Sequence, residues 1–583
     1  MITTGRLFVG TILAALLGLL SPGLAGAADP PYPEVPTPTV TGPIQVTPTS
    51  YPLLATDIDL ARYGYVEEEY FISGRAYRYD TSGSPRPVDQ TATRIETGGP
   101  NGDGTYPFKT RIVVRRPANP ADANGTVVAE WNNVTAGRDI EWNWFGDPEF
   151  MLKNGYTFVG ITAQHAGVNG LKLFDNKVKQ QRYGDLEVRW DPNAFLSTST
   201  DDLSYDIFGS ALKAIKGTYT GVNPLDGIEA KTVIASGESQ SCGRLATHYN
   251  FIQPLQEVAD AYLLTVCGSA LRTDRPEKAI RILTETENRT ERPTSTFPDT
   301  NSIRHWEIAG ASHLPRLAWD NAATLINRDY LALTVSCDKY PLSLVQWPYT
   351  VNRAIVGLVD WTKAESAAPP VAPRGQYQGG TLVRDSFGIA LGGIRYPDMT
   401  VPTAVNDGVN GPVVNGPVGP FDAFCGLLGS STPFDEATLG TLYRDHADYV
   451  SKYSKAADDF LKTGFILAED LPRLKKAASE YPRLRPAAPV VKGKGRGAFL
   501  TWVGTEAPDT TFTVQRTSAR GKPKWVAANL KVTGNRASLA GQPKGTWRYR
   551  VASSTIIPAN NIAPAETVTT PFSAPGGQVK VTR

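Results

Sequence analysis

The chain has 583 residues, 41% of them hydrophobic and 20% charged, with a formal net charge of +2. That composition marks a globular protein, and the length exceeds what one core serves, which suggests roughly two to four domains. The near-neutral balance, with no Lys/Arg cluster interleaved with aromatics, argues against a nucleic-acid partner.

At the N-terminus, Arg6 precedes an apolar run from Leu7 to Leu20. Ser21-Pro22-Gly23 breaks the run, and Ala25-Gly26-Ala27 supplies an A-x-A-like cleavage site. This reads as a signal peptide over residues 1–27, cleaved near Ala27/Ala28, and so as a secreted, cell-envelope or periplasmic protein. The run is short for a bilayer, so no membrane span is expected in the mature chain. Residues 28–51 form a Pro/Thr-rich leader.

From there strands and helices alternate. Gly64 to Asp80 holds two apolar-aromatic runs around Ser73-Gly74, and Lys109 to Arg115 reads as a strand; together they suggest an antiparallel entry to a sheet. Thr126–Trp131 and Tyr156–Thr162 are further strands, with a helical stretch near Asn143 to Lys153 between them, and Leu203–Lys216 is an amphipathic helix. Thr232–Ser236 is an apolar strand leading into Gly237-Glu238-Ser239-Gln240-Ser241, and a helix is expected from Gly243 to Phe251. Ala261–Val266, Ala279–Leu283 and His305–Ala309 are three more strands. Such alternation indicates a mainly parallel sheet with helices on both faces, an α/β fold. From Leu317 to Ala487 the pattern turns helical and irregular, with helices over Asn352–Lys363 and Glu436–Leu461 and a Gly/Pro-rich excursion from Arg374 to Gly416. This insertion reads as a lid or as extra scaffold. The expected bounds are 52–485 for the α/β domain, with 317–485 as its extension, and 486–494 for a linker. The last region, 495–583, has short alternating strands at regular spacing and reads as an all-β sandwich.

Strand, sharp turn with a serine at its apex, then helix is the layout of a nucleophile elbow. Ser239 sits at that apex. The usual G-x-S-x-G pattern ends here in Ser241 instead of glycine. A serine nucleophile needs a base and an acid that orients the base. Of five histidines, His313 directly follows a strand downstream of the elbow, in a Gly/Ala-rich loop. The acid should follow the strand between them, where Thr284-Glu285-Thr286-Glu287 offers two carboxylates, Glu285 and Glu287, that spacing does not separate. The oxyanion would rest on the N–H of Gln240 and on a donor from the loop beginning Asn132-Asn133-Val134. His248, in the elbow helix, reads as structural, and His165 as a residue that lines the pocket. Four cysteines in an exported chain allow two disulfides, read as Cys242–Cys267 and Cys337–Cys425. No Cys/His cluster has zinc spacing and no G-x-G-x-x-G follows a strand, so neither metal nor cofactor is expected.

GYVEEEYFISGRAYRY, AEWNNVTAG, G-E-S-Q-S with Arg244-Leu245, T-E-T-E, HWEIAGASH and D-S-F-G-I-A-L-G-G-I-R-Y-P-D resemble, in that order, the large α/β-hydrolase domain family of secreted or periplasmic bacterial proteins. The resemblance covers most of residues 40 to 480. It implies a doubly wound, mostly parallel sheet and a Ser-acid-His mechanism falling on Ser239, a Thr-Glu-Thr-Glu carboxylate and His313. The C-terminal strands, with Trp502 early and Trp547-Arg548-Tyr549-Arg550-Val551 later, resemble a fibronectin type III domain. The expectation is an exported serine esterase acting on a small or medium ester through an acyl-enzyme, the C-terminal domain giving cell-surface or polysaccharide contact. The alternatives are an acyltransferase or amidase on the same residues, and a non-catalytic surface- or carbohydrate-binding protein.

Overall fold

The computed structural model describes residues 35–80, 93–95, 97–192, 198–291, 297–330, 335–364, 366–413, 422–494, 497–559 and 565–582. The signal-peptide reading and residues 28–34 of the leader lie outside them.

Among the described residues eleven strands form one sheet: β1 (Thr39–Thr41), β2 (Tyr65–Asp80), β3 (Thr93–Ile95), β4 (Thr105–Pro117), β5 (Thr126–Trp131), β6 (Thr157–Ile161), β7 (Thr220–Gly221), β8 (Thr232–Glu238), β9 (Ala261–Thr265), β10 (Lys278–Thr284) and β11 (Ile303–Ile308). The spatial order is β11-β10-β9-β8-β5-β6-β4-β2-β1-β7, with β3 beside β2. From β6 through β11 the neighbours run parallel, while β4 is antiparallel to both β6 and β2. The central strands are buried along their length, as in Val127-Val128-Ala129 and Val233-Ile234-Ala235. Strands buried on both sides need cover on both faces. The elbow helix Gln240–Thr247 and the helix Pro348–Thr362 both pack on β8 and β9. The fold is thus α/β, a doubly wound and mostly parallel sheet with a separate all-β region after it.

Three elements differ from the sequence reading. The two runs around Ser73-Gly74 are one strand, β2, in which Gly74 lies opposite Phe108. A Cβ at Gly74 would sit 3.4 Å from the Phe108 ring, so the glycine admits an aromatic neighbour and does not end the strand. The expected helix Glu436–Leu461 is two, Glu436–Leu442 and His446–Lys462. Asp445 divides them, because its carboxylate accepts from Asp448 N and caps the second helix. The elbow helix begins at Gln240 and passes at His248–Ile252 into a π-helical turn.

The C-terminal region has two antiparallel sheets, one of four strands and one of five. Leu500, Trp502, Val514, Leu539, Tyr549 and Val551 fill a core of their own. The first strand, Val490–Lys492, lies in the stretch read as a linker and pairs with Phe499–Thr501. Among the described residues no helix is long and apolar enough to cross a membrane.

Both disulfides are those read from the sequence, Cys242–Cys267 with Cα atoms 5.8 Å apart and Cys337–Cys425 with 5.4 Å. The first joins the elbow helix to the loop after β9. Changing both of its cysteines to serine is expected to lower unfolding stability by about 3 kcal/mol, measured as the shift in a denaturant midpoint. An unchanged midpoint refutes this.

Asp470, at the start of the helix Leu471–Ser479, is 1% exposed. Burial and then the neighbouring Asp147 carboxylate push its pKa up from 3.8 to about 7. The folded state therefore holds a proton that the unfolded chain releases at lower pH, so this group's effect is a loss of stability as pH rises from about 4 to about 7. Asp470→Asn removes the titration. The fall in thermal midpoint from pH 5 to pH 8 should be smaller in the variant than in the parent, and equal falls would refute the assignment.

Candidate active site

The site lies beyond the carboxyl ends of β5, β6, β8, β10 and β11, the usual place for a ligand in an open α/β sheet. Ser239 follows β8 with φ 60° and ψ −117°, strained for a residue with a Cβ. Its N–H donates to Thr265 O at 2.9 Å and its carbonyl accepts from Gly243 N at 3.1 Å, so the turn is tied to β9 and to its own helix. The helix approaches the strand so closely that a Cβ at Gly237 would lie 3.1 Å from backbone atoms of Ser241. Gly237 is the position that must lack a side chain. Ser241, where glycine is usual, has a fitted place, its hydroxyl donating to Glu238 O at 2.9 Å and accepting from Glu238 N at 3.1 Å. The departure from G-x-S-x-G thus ties the helix back to the strand.

His313 and Glu287 meet. His313 Nδ1 lies 2.5 Å from Glu287 Oε1. The other oxygen, Oε2, accepts from Thr284 N at 3.1 Å and from Thr284 Oγ1 at 2.7 Å. Burial raises the Glu287 pKa, but the adjacent His313 ring and these hydrogen bonds outweigh it and hold the carboxyl below its ordinary range. An ionised carboxylate accepts only, so Nδ1 carries the proton and Nε2 is left without one. The His313 N–H donates to Thr286 Oγ1 at 2.8 Å, which ties the His313 loop to the Glu287 loop.

Glu285 is elsewhere. Its carboxylate takes Gly310 N at 2.9 Å, Gly408 N at 3.2 Å and the Arg384 guanidinium.

On the other side of Ser239, the N–H groups of Asn132 and Asn133 donate to Ile161 O and Ile140 O. Neither N–H is free for an oxyanion, so of the loop read from the sequence the Asn132 and Asn133 amides are set aside and the next residue is the candidate. The Asn132 side chain lies against Gly160, with its oxygen 3.1 Å from where a Cβ there would stand. Asn133 Nδ2 donates to Glu238 O at 2.8 Å and so fastens this loop to the elbow. Val134 is the next residue; its N–H has no acceptor among the described residues. Gln240, as the first residue of its helix, has an N–H with no intrahelical acceptor. Its side chain donates to Gln164 Oε1 at 3.0 Å. His165 begins a helix after β6, with Nε2 2.9 Å from Asn169 Nδ2. His248 is fully buried between Tyr262 Oη and Gln256 Oε1, and burial pushes its pKa down to about 4.

Thr284, Thr286 and Arg384 were not picked out from the sequence. The threonines could have been, because they alternate with the glutamates in T-E-T-E and offer short hydroxyls in the loop that must fix a carboxylate.

A family model described as an alpha/beta hydrolase domain matches residues 40–476. The chain belongs to this α/β-hydrolase family. A search of curated proteins found no match. Among solved structures, a rice cell wall degrading esterase, LipA, from Xanthomonas oryzae is similar at 14% identity, covering 35% of this chain and 43% of that one, with a TM-score of 0.18. The chain thus spans less than half of that esterase's length. Fungal esterases from Rhizomucor miehei give 12% identity over 44% of this chain and 80% of theirs, TM-score 0.21. A glucuronoyl esterase from Solibacter usitatus gives 9% over 53% and 82%, TM-score 0.22.

Proposed function

We propose that the protein is an exported serine hydrolase that cleaves carboxylic esters, with Ser239 as nucleophile, His313 as base and Glu287 as the acid that orients it. The observation that carries this reading is the 2.5 Å pairing of His313 Nδ1 with Glu287 Oε1, on loops following β11 and β10, downstream of an elbow serine. In the reaction, His313 Nε2 takes the Ser239 proton as Oγ attacks the ester carbonyl. The oxyanion rests on the N–H groups of Gln240 and Val134. His313 then protonates the departing alcohol, leaving an acyl-enzyme. Water, deprotonated by the same imidazole, releases the acid. Glu285, the other sequence candidate, has its carboxylate committed to Arg384 and two backbone amides. Two disulfides suit an exported chain.

The deciding experiment is a panel of p-nitrophenyl and aryl esters with and without an added alcohol acceptor, together with fluorophosphonate labelling of the parent and of Ser239→Ala. Hydrolysis and labelling that vanish in the variant support the reading. Alcoholysis that outruns hydrolysis would replace it with acyl transfer, and a parent that neither labels nor hydrolyses any ester defeats it. Contact between the C-terminal sheets and a cell surface or polysaccharide is a separate proposal, tested by pelleting the protein with insoluble polysaccharide.

A further inference from the structure

The excursion over 374–413 is woven into the two loops that carry the acid and the base. Ile394 extends the sheet beside β11: its N–H donates to Glu307 O at 2.6 Å, and Ala309 N donates back to Ile394 O at 3.1 Å. Arg374 Nη1 and Gly375 N bind the Glu307 carboxylate at 3.2 and 2.8 Å. Further on, Thr286 Oγ1 donates to Gly408 O at 2.6 Å while accepting from His313 N at 2.8 Å.

Glu285 stands at the centre of this weave and is 1% exposed. Its N–H donates to Ala311 O at 3.1 Å. Its carboxylate receives Gly310 N from the base loop, and Gly408 N and Arg384 from the excursion. The fit is close, since a Cβ at Gly408 would lie 2.8 Å from Glu285 Cβ. A buried carboxylate that loses its cation is left with an uncompensated charge, so Glu285 and Arg384 are held to one another. One side chain therefore joins three loops, two residues from Glu287 in sequence and bonded to Gly310 of the loop that ends at His313.

We propose that Glu285 and Arg384 are positioning residues of the hydrolytic site, and that through them the excursion fixes the acid and base loops against one another as a permanent wall and does not open as a lid. This rests on the assignment of Glu287 and His313 as acid and base. A base loop freed from Glu285 would let His313 drift from its place against Glu287 Oε1, and misplacement of about 1 Å costs about 10²-fold in rate.

The test uses the full chain with Glu285→Gln, Arg384→Met and Arg384→Lys, and two readouts. The first is kcat and KM on a p-nitrophenyl ester. The second, independent of any substrate, is the set of ring-nitrogen resonances of His313 in protein labelled with 15N-histidine, assigned by their loss in His313→Gln. The expected result is a fall in kcat of about 10²-fold for Glu285→Gln and Arg384→Met, with KM little changed, and displaced His313 resonances. Arg384→Lys, which keeps the cation, should recover much of both. Arg384 is the outer partner, so Arg384→Met carries the test if Glu285→Gln does not fold. Unmoved resonances together with parental kcat in Arg384→Met overturn the proposal, even where stability has fallen. A parent without ester hydrolysis defeats the functional reading alone, and the resonances still decide this one.

Discussion

Ser239→Ala is expected to lower kcat/KM on activated esters by about 10⁶-fold, leaving the small acceleration that binding and the oxyanion donors supply without a nucleophile. In the proposed mechanism one atom makes the bond to the substrate, and the local geometry lets that atom be removed cleanly. Ser239 has a backbone that residues with a Cβ adopt at a cost, held by Thr265 O on one side and Gly243 N on the other. Alanine bears the same Cβ and the same strain, so the substitution removes the hydroxyl and little else. The thermal midpoint should stay within about 0.5 kcal/mol of the parent in stability terms, which separates loss of chemistry from loss of fold. Fluorophosphonate labelling should disappear with the activity. A variant that still hydrolyses esters would show that another group does the work.

Much of this site was legible in the sequence because its parts are local. An apolar β-branched strand followed by a tight small-residue turn is visible in Thr232 to Ser241, and a histidine just past a strand in a Gly/Ala loop is visible at His313. The disulfide partners followed from the order of elements, since Cys242 opens the helix after β8 and Cys267 follows β9, its neighbour. What could not be read depends on which way neighbouring side chains point. Glu285 and Glu287 are two residues apart on one loop, and only folding shows that Glu287 meets His313 while Glu285 turns to Arg384, 99 residues further along the chain. Which amide of the proposed oxyanion loop is free is hidden for a similar reason. Asn132 and Asn133 come first after β5, but their N–H groups are spent on Ile161 O and Ile140 O. Gly74 misled for a third reason, because a glycine that makes room for Phe108 looks in sequence like one that breaks a strand.

The second large effect is expected at Glu287, and it comes from the hydrogen bonds of the carboxylate more than from its charge. Glu287 Oε2 is held by two Thr284 donors, one of them a backbone N–H that cannot reverse its role. In Glu287→Gln the amide oxygen must face Thr284 N, which turns the NH₂ group toward His313 Nδ1. An NH₂ donor there requires Nδ1 to accept, so the ring proton moves to Nε2, the atom that must be bare to take the Ser239 proton. In the proposed triad the wrong tautomer is worth about 10⁴-fold in kcat, with KM little changed because no substrate contact is lost. Glu287→Asp keeps the charge but shortens the reach, and should fall between the parent and Glu287→Gln. The environment that sets the tautomer also holds the Glu287 pKa below its usual value of 4.5. The carboxylate therefore stays ionised as pH falls to 4.5, and loss of activity between pH 7 and pH 5 must come from another group. Parental kcat in Glu287→Gln, alongside a large loss in Glu285→Gln, would exchange the roles of the two glutamates.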